Sequence, residues 1–265
     1  MTLQEFARIF NRALSLSFSK RKNLFLFSVL ALVGTLFLFF RLLAAHQERW
    51  LQNTLLFVPF FFGMGIILAA QVLVTRIYSE ERKGNKEPFR KVLFTSLERM
   101  LKISYLSIPL FLTYLLFWIL SSLFLLLSSI PLLGTFLKVV LAFAPYVLNL
   151  GAICLGLVMV LLSFFVCPTV ALEDRIDRRA LVLRLKDNIF MNLLFFILPL
   201  LSVLLLCKVL LFAAYLTVGR LPIEESSLET TLESFFMMFP FIALLAPALN
   251  FFFNFAVEAY AVYRK

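Results

Sequence analysis

Histidine is almost absent: His46 is the only one in 265 residues. One imidazole excludes histidine-built metal sites and histidine-paired phosphatase chemistry. Cysteine is scarce as well, and Cys154, Cys167 and Cys207 lie in or beside apolar stretches with no CxxC spacing. They read as small hydrophobes rather than as a disulfide framework or a ligand set. Acid is in short supply, with 15 Asp and Glu against 25 Lys and Arg and a net charge of +10. The sequence contains no GxxxxGK[ST], GxSxG or HExxH, the signatures of nucleotide binding, acyl transfer and zinc hydrolysis. Its nearest acidic cluster, Glu173, Asp174 and Asp177, alternates with Arg175, Arg178 and Arg179 and reads as a salt-bridged, solvated loop. The expectation is therefore a protein that is not an enzyme and carries no cofactor or metal.

What the chain has is apolar surface: 62% hydrophobic residues, a mean hydropathy of +0.98 and 33 Phe. Soluble domains are about 45–50% apolar, and a chain of this size has too little interior to hide the excess. Lipid is the natural solvent for such a surface. A charge of +10 would also suit nucleic acid. Here, however, the basic residues lie between long apolar runs, so the bilayer is the expected partner and nucleic acid is not. The run from Asn23 to Phe40 follows Lys20, Arg21 and Lys22, is longer than an ordinary signal h-region, and lacks a small-x-small cleavage site. It reads as a retained signal-anchor helix.

A helix needs about 20 apolar residues to cross a hydrocarbon core of about 30 Å, and no backbone group there can go unpaired. Six stretches qualify, at 23–45, 54–75, 103–128, 139–166, 189–218 and 234–262. The predicted fold is thus an all-α membrane protein of six transmembrane helices in one integral domain, 1–265. Twenty Lys and Arg fall in the N-terminal segment, the 76–102 and 167–188 loops and the C-terminus. Against them stand Arg41, Arg49, Lys138 and Arg220, with Lys208 inside a span near its outer end. The positive-inside rule then places both termini in the cytoplasm, and the setting is expected to be a bacterial inner (plasma) membrane. The Glu-rich 219–233 loop suits the external face.

The second, fourth and sixth spans carry a proline near their outer ends, in FVPFFFGMG, FAPYVLNLG and MFPFIALLA. Each proline (Pro59, Pro145, Pro240) is followed by an aromatic and, six residues on, by a small residue: Gly65, Gly151 and Ala246. Each hairpin also follows a basic, amphipathic stretch, at about 3–18, 88–102 and 175–187. In the first, Phe6, Ile9, Phe10, Ala13 and Leu14 form a helical stripe opposite Glu5, Arg8 and Arg12. In the second, Phe89, Val92, Leu93, Leu97, Met100 and Leu101 face away from Arg90, Lys91 and Arg99, with Pro88 at the helix start. The pattern predicts three copies of one unit, an interfacial helix followed by a transmembrane hairpin.

Basic residues on helices at the inner surface attract anionic lipid, which makes Arg8, Arg12, Arg90, Lys91, Arg99 and Lys102 the candidate lipid contacts. Pro59, Gly65, Pro145, Asn149, Gly151, Pro240 and Asn250 are candidates for helix packing or for a pathway. Asn149 is expected near mid-membrane, and Gln71, Asn192, Asn250 and Asn254 in the inner half, where amides commonly bond neighbouring helices.

The junction CPTVALEDRIDRRALVLRLKDNIF, 167–190, resembles the polytopic family typified by the membrane domain found with some glycerophosphodiester phosphodiesterases. Pro168, Leu172 and Glu173 match its exit from the fourth span. Ala180, Leu181, Asp187, Asn188 and Phe190 approximate its amphipathic helix and the start of the next span, with Leu183, Arg184 and Leu185 in place of its Ser-Trp and Leu-Thr positions. The resemblance implies a six-span fold and a role in envelope or lipid homeostasis, without phosphodiesterase activity, because it lies wholly in the membrane part. The leading expectation is a non-enzymatic membrane protein acting through lipid contact at its basic cytoplasmic face. The alternatives are a transporter or permease subunit with a pathway among the proline-bearing helices, and a membrane scaffold for a protein partner whose identity the sequence leaves open.

Overall fold

A computed structural model describes residues 3–44, 49–85, 87–128, 143–173, 189–218 and 228–263. Helix α1 (Leu3–Ser15) ends in a 3-10 turn, Leu16–Phe18, and leads into α2 (Lys20–Ala44). Then come α3 (Arg49–Arg82), α4 (Phe89–Ser104) and α5 (Ser107–Ser128). Helix α6 (Ala144–Leu161) continues through a π-helical stretch, Leu162–Val166, into α7 (Cys167–Leu172), and α8 (Ile189–Val218) and α9 (Leu228–Tyr263) follow. No strand occurs among the described residues. Among the described residues six helical segments are long and apolar enough to cross a membrane, so the chain is an all-α integral membrane protein. The third amphipathic stretch, 175–187, lies outside the described residues.

Several helices outrun the bilayer. The 34 residues of α3 make a rod of about 51 Å against a hydrocarbon core of about 30 Å. Its last turns, Arg76 to Arg82, are polar and stay helical because other helices bond to them. Pro59, Pro199, Pro240 and Pro247 lie inside helices, whereas Pro145 occupies the first turn of α6. There the missing N–H removes no helical bond. The three prolines of the sequence pattern therefore stand in two different helical settings.

The packed interior has two parts. One is rich in phenyl rings and joins α1, α2, α3, α8, α9 and the π stretch; its centre is Phe164, Phe195, Phe251, Phe252 and Phe255. Phe164 stands 5.4 Å from Phe196 and 5.5 Å from Phe252 in edge-on contacts, the geometry that ring quadrupoles favour. The other part joins α3, α5, α6 and α7 around Phe61, Leu68, Tyr114, Met159 and Cys167. Close helix contact depends on small residues: a Cβ on Gly65 would stand 2.7 Å from Ser107 Oγ, and one on Gly34 would stand 2.2 Å from Met238 Sδ. The outer surfaces of α5, α8 and α6 are studded with exposed Leu, Ile and Val, which lipid covers.

Pro168 explains the π stretch. In π register the Cys167 N–H donates to the Leu162 carbonyl, and the next carbonyl, that of Ser163, faces a proline with no N–H to give. Gln71 of α3 fills the gap. Its Nε2 donates to the Ser163 carbonyl at 2.7 Å, and the Ser163 hydroxyl donates back to Gln71 Oε1 at 2.6 Å. A local backbone defect thus becomes a bond between two spans.

Candidate lipid-facing site at the basic end

The end of the bundle that carries the N-terminal helix and the end of α9 is where polar side chains from five helices meet. Helix α1 lies on this end with its apolar stripe turned to the protein. Phe6 stands 5.6 Å from Phe195, and Phe10 stands 5.3 Å from Phe251. The last carbonyls of a helix have no internal donors, and α9 supplies them. Asn254 Nδ2 donates to the Ala13 carbonyl at 3.3 Å and to Ser17 Oγ at 3.2 Å. Asn250 Nδ2 donates to the Ser17 carbonyl at 2.8 Å and to Asn23 Oδ1 at 2.9 Å. Asn250 is thus a packing residue whose amide fixes the turn after α1 and the start of α2 against α9.

One turn further along α9, buried Glu258 gathers three partners. The Tyr78 hydroxyl donates to it at 2.7 Å, and Arg12 and Arg82 stand at 3.6 and 3.7 Å. The two guanidinium side chains are 39% and 36% exposed, so they remain hydrated while neutralising the buried carboxylate. Beside this cluster, Lys22 is fully buried, 2.8 Å from Glu81 Oε2, with its ammonium 5.2 Å from the centre of the Tyr78 ring. Both the ion pair and the ring face offset the loss of water.

Helix α4 is held from both sides by arginines. Arg76 Nη1 of α3 donates to the Thr95 carbonyl at 2.7 Å and to Ser96 Oγ at 3.2 Å. Arg99 Nη1 donates at 2.6 Å to the carbonyl of Ala171, in the last turn of α7, where no helical donor remains. Tyr260 of α9 donates to Glu173 at the end of α7. These bonds set which side of α4 meets the bundle. Val92, Ser96 and Ile103 point inward, whereas Phe94, Leu97 and Leu101 point outward. Ser96 on the inward side meets Arg76, and Ile103 packs into the apolar cluster around Leu68 and Tyr114.

The outward face of α4 therefore combines rings and charge. Phe94, Leu101 and Tyr105 are 60%, 57% and 62% exposed. The Arg90 guanidinium lies 5.8 Å from the centre of the Phe94 ring. Lys91 pairs with Glu87, just before the helix, and Lys102 pairs with Glu98 within it, each at 2.6 Å. Exposed pairs of this kind are worth little and exchange readily for another anion. Behind the face, a cavity of about 600 Å³ opens between the starts of α2 and α4, lined by Lys20, Arg21, Glu80, Glu81, Glu87 and Phe89. Its charges are of both signs, so it does not select an anion.

The six basic residues singled out from the sequence thus separate. Arg8, Arg90, Lys91 and Lys102 are exposed, while Arg12 stands beside Glu258 and Arg99 anchors α4. Of the packing or pathway candidates, Pro59 and Gly65 are buried, and Gly151 meets Phe117 of α5, where a Cβ would stand 3.0 Å from the ring. Pro240 is exposed on α9, and Asn149 is half-buried and lines a groove away from this end. The Glu258 cluster was not predicted, because Tyr78 lies 180 residues from Glu258 in the chain and Lys22 reads as a topology charge. The only sequence signal was an acid inside an apolar span. Compared with family models, curated proteins and solved structures, the chain matches none.

Proposed function

We propose that the chain is a non-catalytic protein of a bacterial inner membrane, with both termini cytoplasmic, that gathers anionic phospholipid in the cytoplasmic leaflet through the outward face of α4. The observation that carries this reading is the exposed stripe of Phe94, Leu97, Leu101 and Tyr105 flanked by Arg90, Lys91 and Lys102. A helix lying in the interface buries such a stripe among acyl chains and sets its charges among headgroups. Arg8 on the outer side of α1 adds a further exposed charge to the same end. The resemblance of 167–190 to the membrane domain of glycerophosphodiester phosphodiesterases supports a setting in envelope or lipid homeostasis.

The test replaces Arg90, Lys91 and Lys102 together with Gln and leaves Arg99 in place, because Arg99 holds the helix. Each basic group near an anionic surface contributes about 1 kcal/mol. Purified gently from membranes containing phosphatidylglycerol and phosphatidylethanolamine, the parent protein should retain phosphatidylglycerol above its share of the bulk membrane. The triple variant should retain lipids in bulk proportion. An unchanged lipid profile in the variant would overturn the proposal.

A further inference from the structure

On the side of the bundle away from the basic end, α2 and α6 both pack on α3 and leave a groove of about 620 Å³ between them. Phe37, Phe57 and Phe60 line one side, and Asn149, Ile153 and Gly156 the other. Gly156 brings the Phe60 ring against α6, where a Cβ would stand 3.2 Å from it. The groove runs into the lipid-facing surface of α6, on which Ile153 and Leu157 are 61% and 52% exposed. It is therefore continuous with the bilayer contact that the six spans establish.

The depth of the groove identifies what fills it. Arg99 bonds the Ala171 carbonyl and Tyr260 bonds Glu173, which marks the basic boundary of α7 near Thr169. Asn149 lies twenty residues back along the α6–α7 rod, about 30 Å at helical rise, which is the thickness of the hydrocarbon core. Its amide therefore stands at the opposite boundary, where a phospholipid carries its ester carbonyls, and not near mid-membrane as expected from the sequence, because the rod continues through the π stretch to Leu172. Val160 closes the lining about 16 Å deeper, close to the thickness of one leaflet, about 15 Å. Among the described residues the Asn149 side chain bonds no protein group, although it can donate two hydrogen bonds.

We propose that this groove holds one acyl chain of a glycerophospholipid from the leaflet opposite the basic end, with the Asn149 amide donating to the ester carbonyl at the head of that chain. Phe37, Phe57 and Phe60 supply a rigid wall, and Gly156 supplies the space beside them. The site is separate from the α4 face, lies in the other leaflet, and reads the ester linkage rather than headgroup charge.

The test uses the full chain in phosphatidylethanolamine–phosphatidylglycerol vesicles. These carry a trace of diacyl phosphatidylcholine with a diazirine in mid-chain, and sites of photolabelling are mapped by peptide mass spectrometry. The label should collect on the half-buried Phe37, Phe57 and Phe60 and on Ile153 several-fold above Leu201, Leu204 and Leu205 of α8, which are as exposed as Ile153 or nearly so. A dialkyl ether probe of the same length, which lacks the carbonyl, should label the groove roughly three- to tenfold less, as should the diacyl probe on Asn149→Leu. The comparison of ester and ether on the parent protein needs no variant, so it stands even if N149L folds poorly. Label spread evenly over the exposed apolar residues, or equal labelling by the two probes on the parent protein, would overturn the proposal.

Discussion

At the basic end, helices are tied to one another by polar bonds between side chains and to exposed carbonyls. Asn250 and Asn254 hold α1, Arg76 and Arg99 hold α4, and Glu258 joins α1, α3 and α9. Towards the other end, contact is made chiefly by rings and small residues. Phe62 stands 4.7 Å from Phe111, Phe61 stands 5.1 Å from Tyr114, and Gly63 admits Val33. A polar tie there runs from Arg41 to Ser234 at 3.1 Å. The contrast reflects the solvent. Within hydrocarbon, lipid competes for apolar contacts on nearly equal terms, so shape decides which helices meet. Near the interface water competes for polar groups, and bonds that exclude it fix where short helices dock.

Removing the carboxylate of Glu258 should have the largest effect, because it unlinks three helices at once. Glu258→Ala is expected to lower stability by about 2–3 kcal/mol, less than for a fully buried pair because both arginines can rehydrate. The melting temperature in mild detergent reads this loss. Protease cleavage near α1 should rise with it, and an unchanged cleavage pattern would show that the phenyl rings and the Asn250 and Asn254 amides hold α1 without Glu258.

Gln71→Leu comes next. It strands the Ser163 carbonyl that Pro168 already deprives of a donor, at a cost of about 1–3 kcal/mol. Ser163→Ala removes only the return bond and should cost about 0.5–1.5 kcal/mol. A double-mutant cycle in which the two effects simply add would argue against the reciprocal pair.

Tyr78→Phe is smaller again, about 1 kcal/mol, since Glu258 keeps its two arginines. Changes on the lipid-facing side should matter least. Leu201→Ala and Leu205→Ala on α8 are expected within about 0.5 kcal/mol of the parent. A loss as large as that of Glu258→Ala would erase the contrast between the two ends and mark that surface as a protein contact.

Much of this architecture was legible in the chain. Apolar runs of 20 or more residues have one outcome in a bilayer, because a helix is the only single-segment way to pair every backbone group there. The stripe of Phe6, Ile9, Phe10 and Ala13 likewise announced an amphipathic helix. Periodicity cannot say whether such a stripe meets lipid or protein, since both are apolar. In α1 it meets Phe195, Phe251 and Phe255, and in α4 part of it faces outward. The same limit applies to charge: Arg12 and Arg8 lie one turn apart on α1, yet only Arg12 reaches Glu258.

By itself, then, the sequence determined the solvent, the number of spans and the end at which basic charge collects, because these depend on sums over long segments. The tertiary structure alone decided which polar groups are partners, from Gln71 with the carbonyl above Pro168 to Tyr78 with Glu258. Those pairings join residues far apart in the chain. They depend on rotations of a few tens of degrees about each helix, which local propensity leaves free and packing settles.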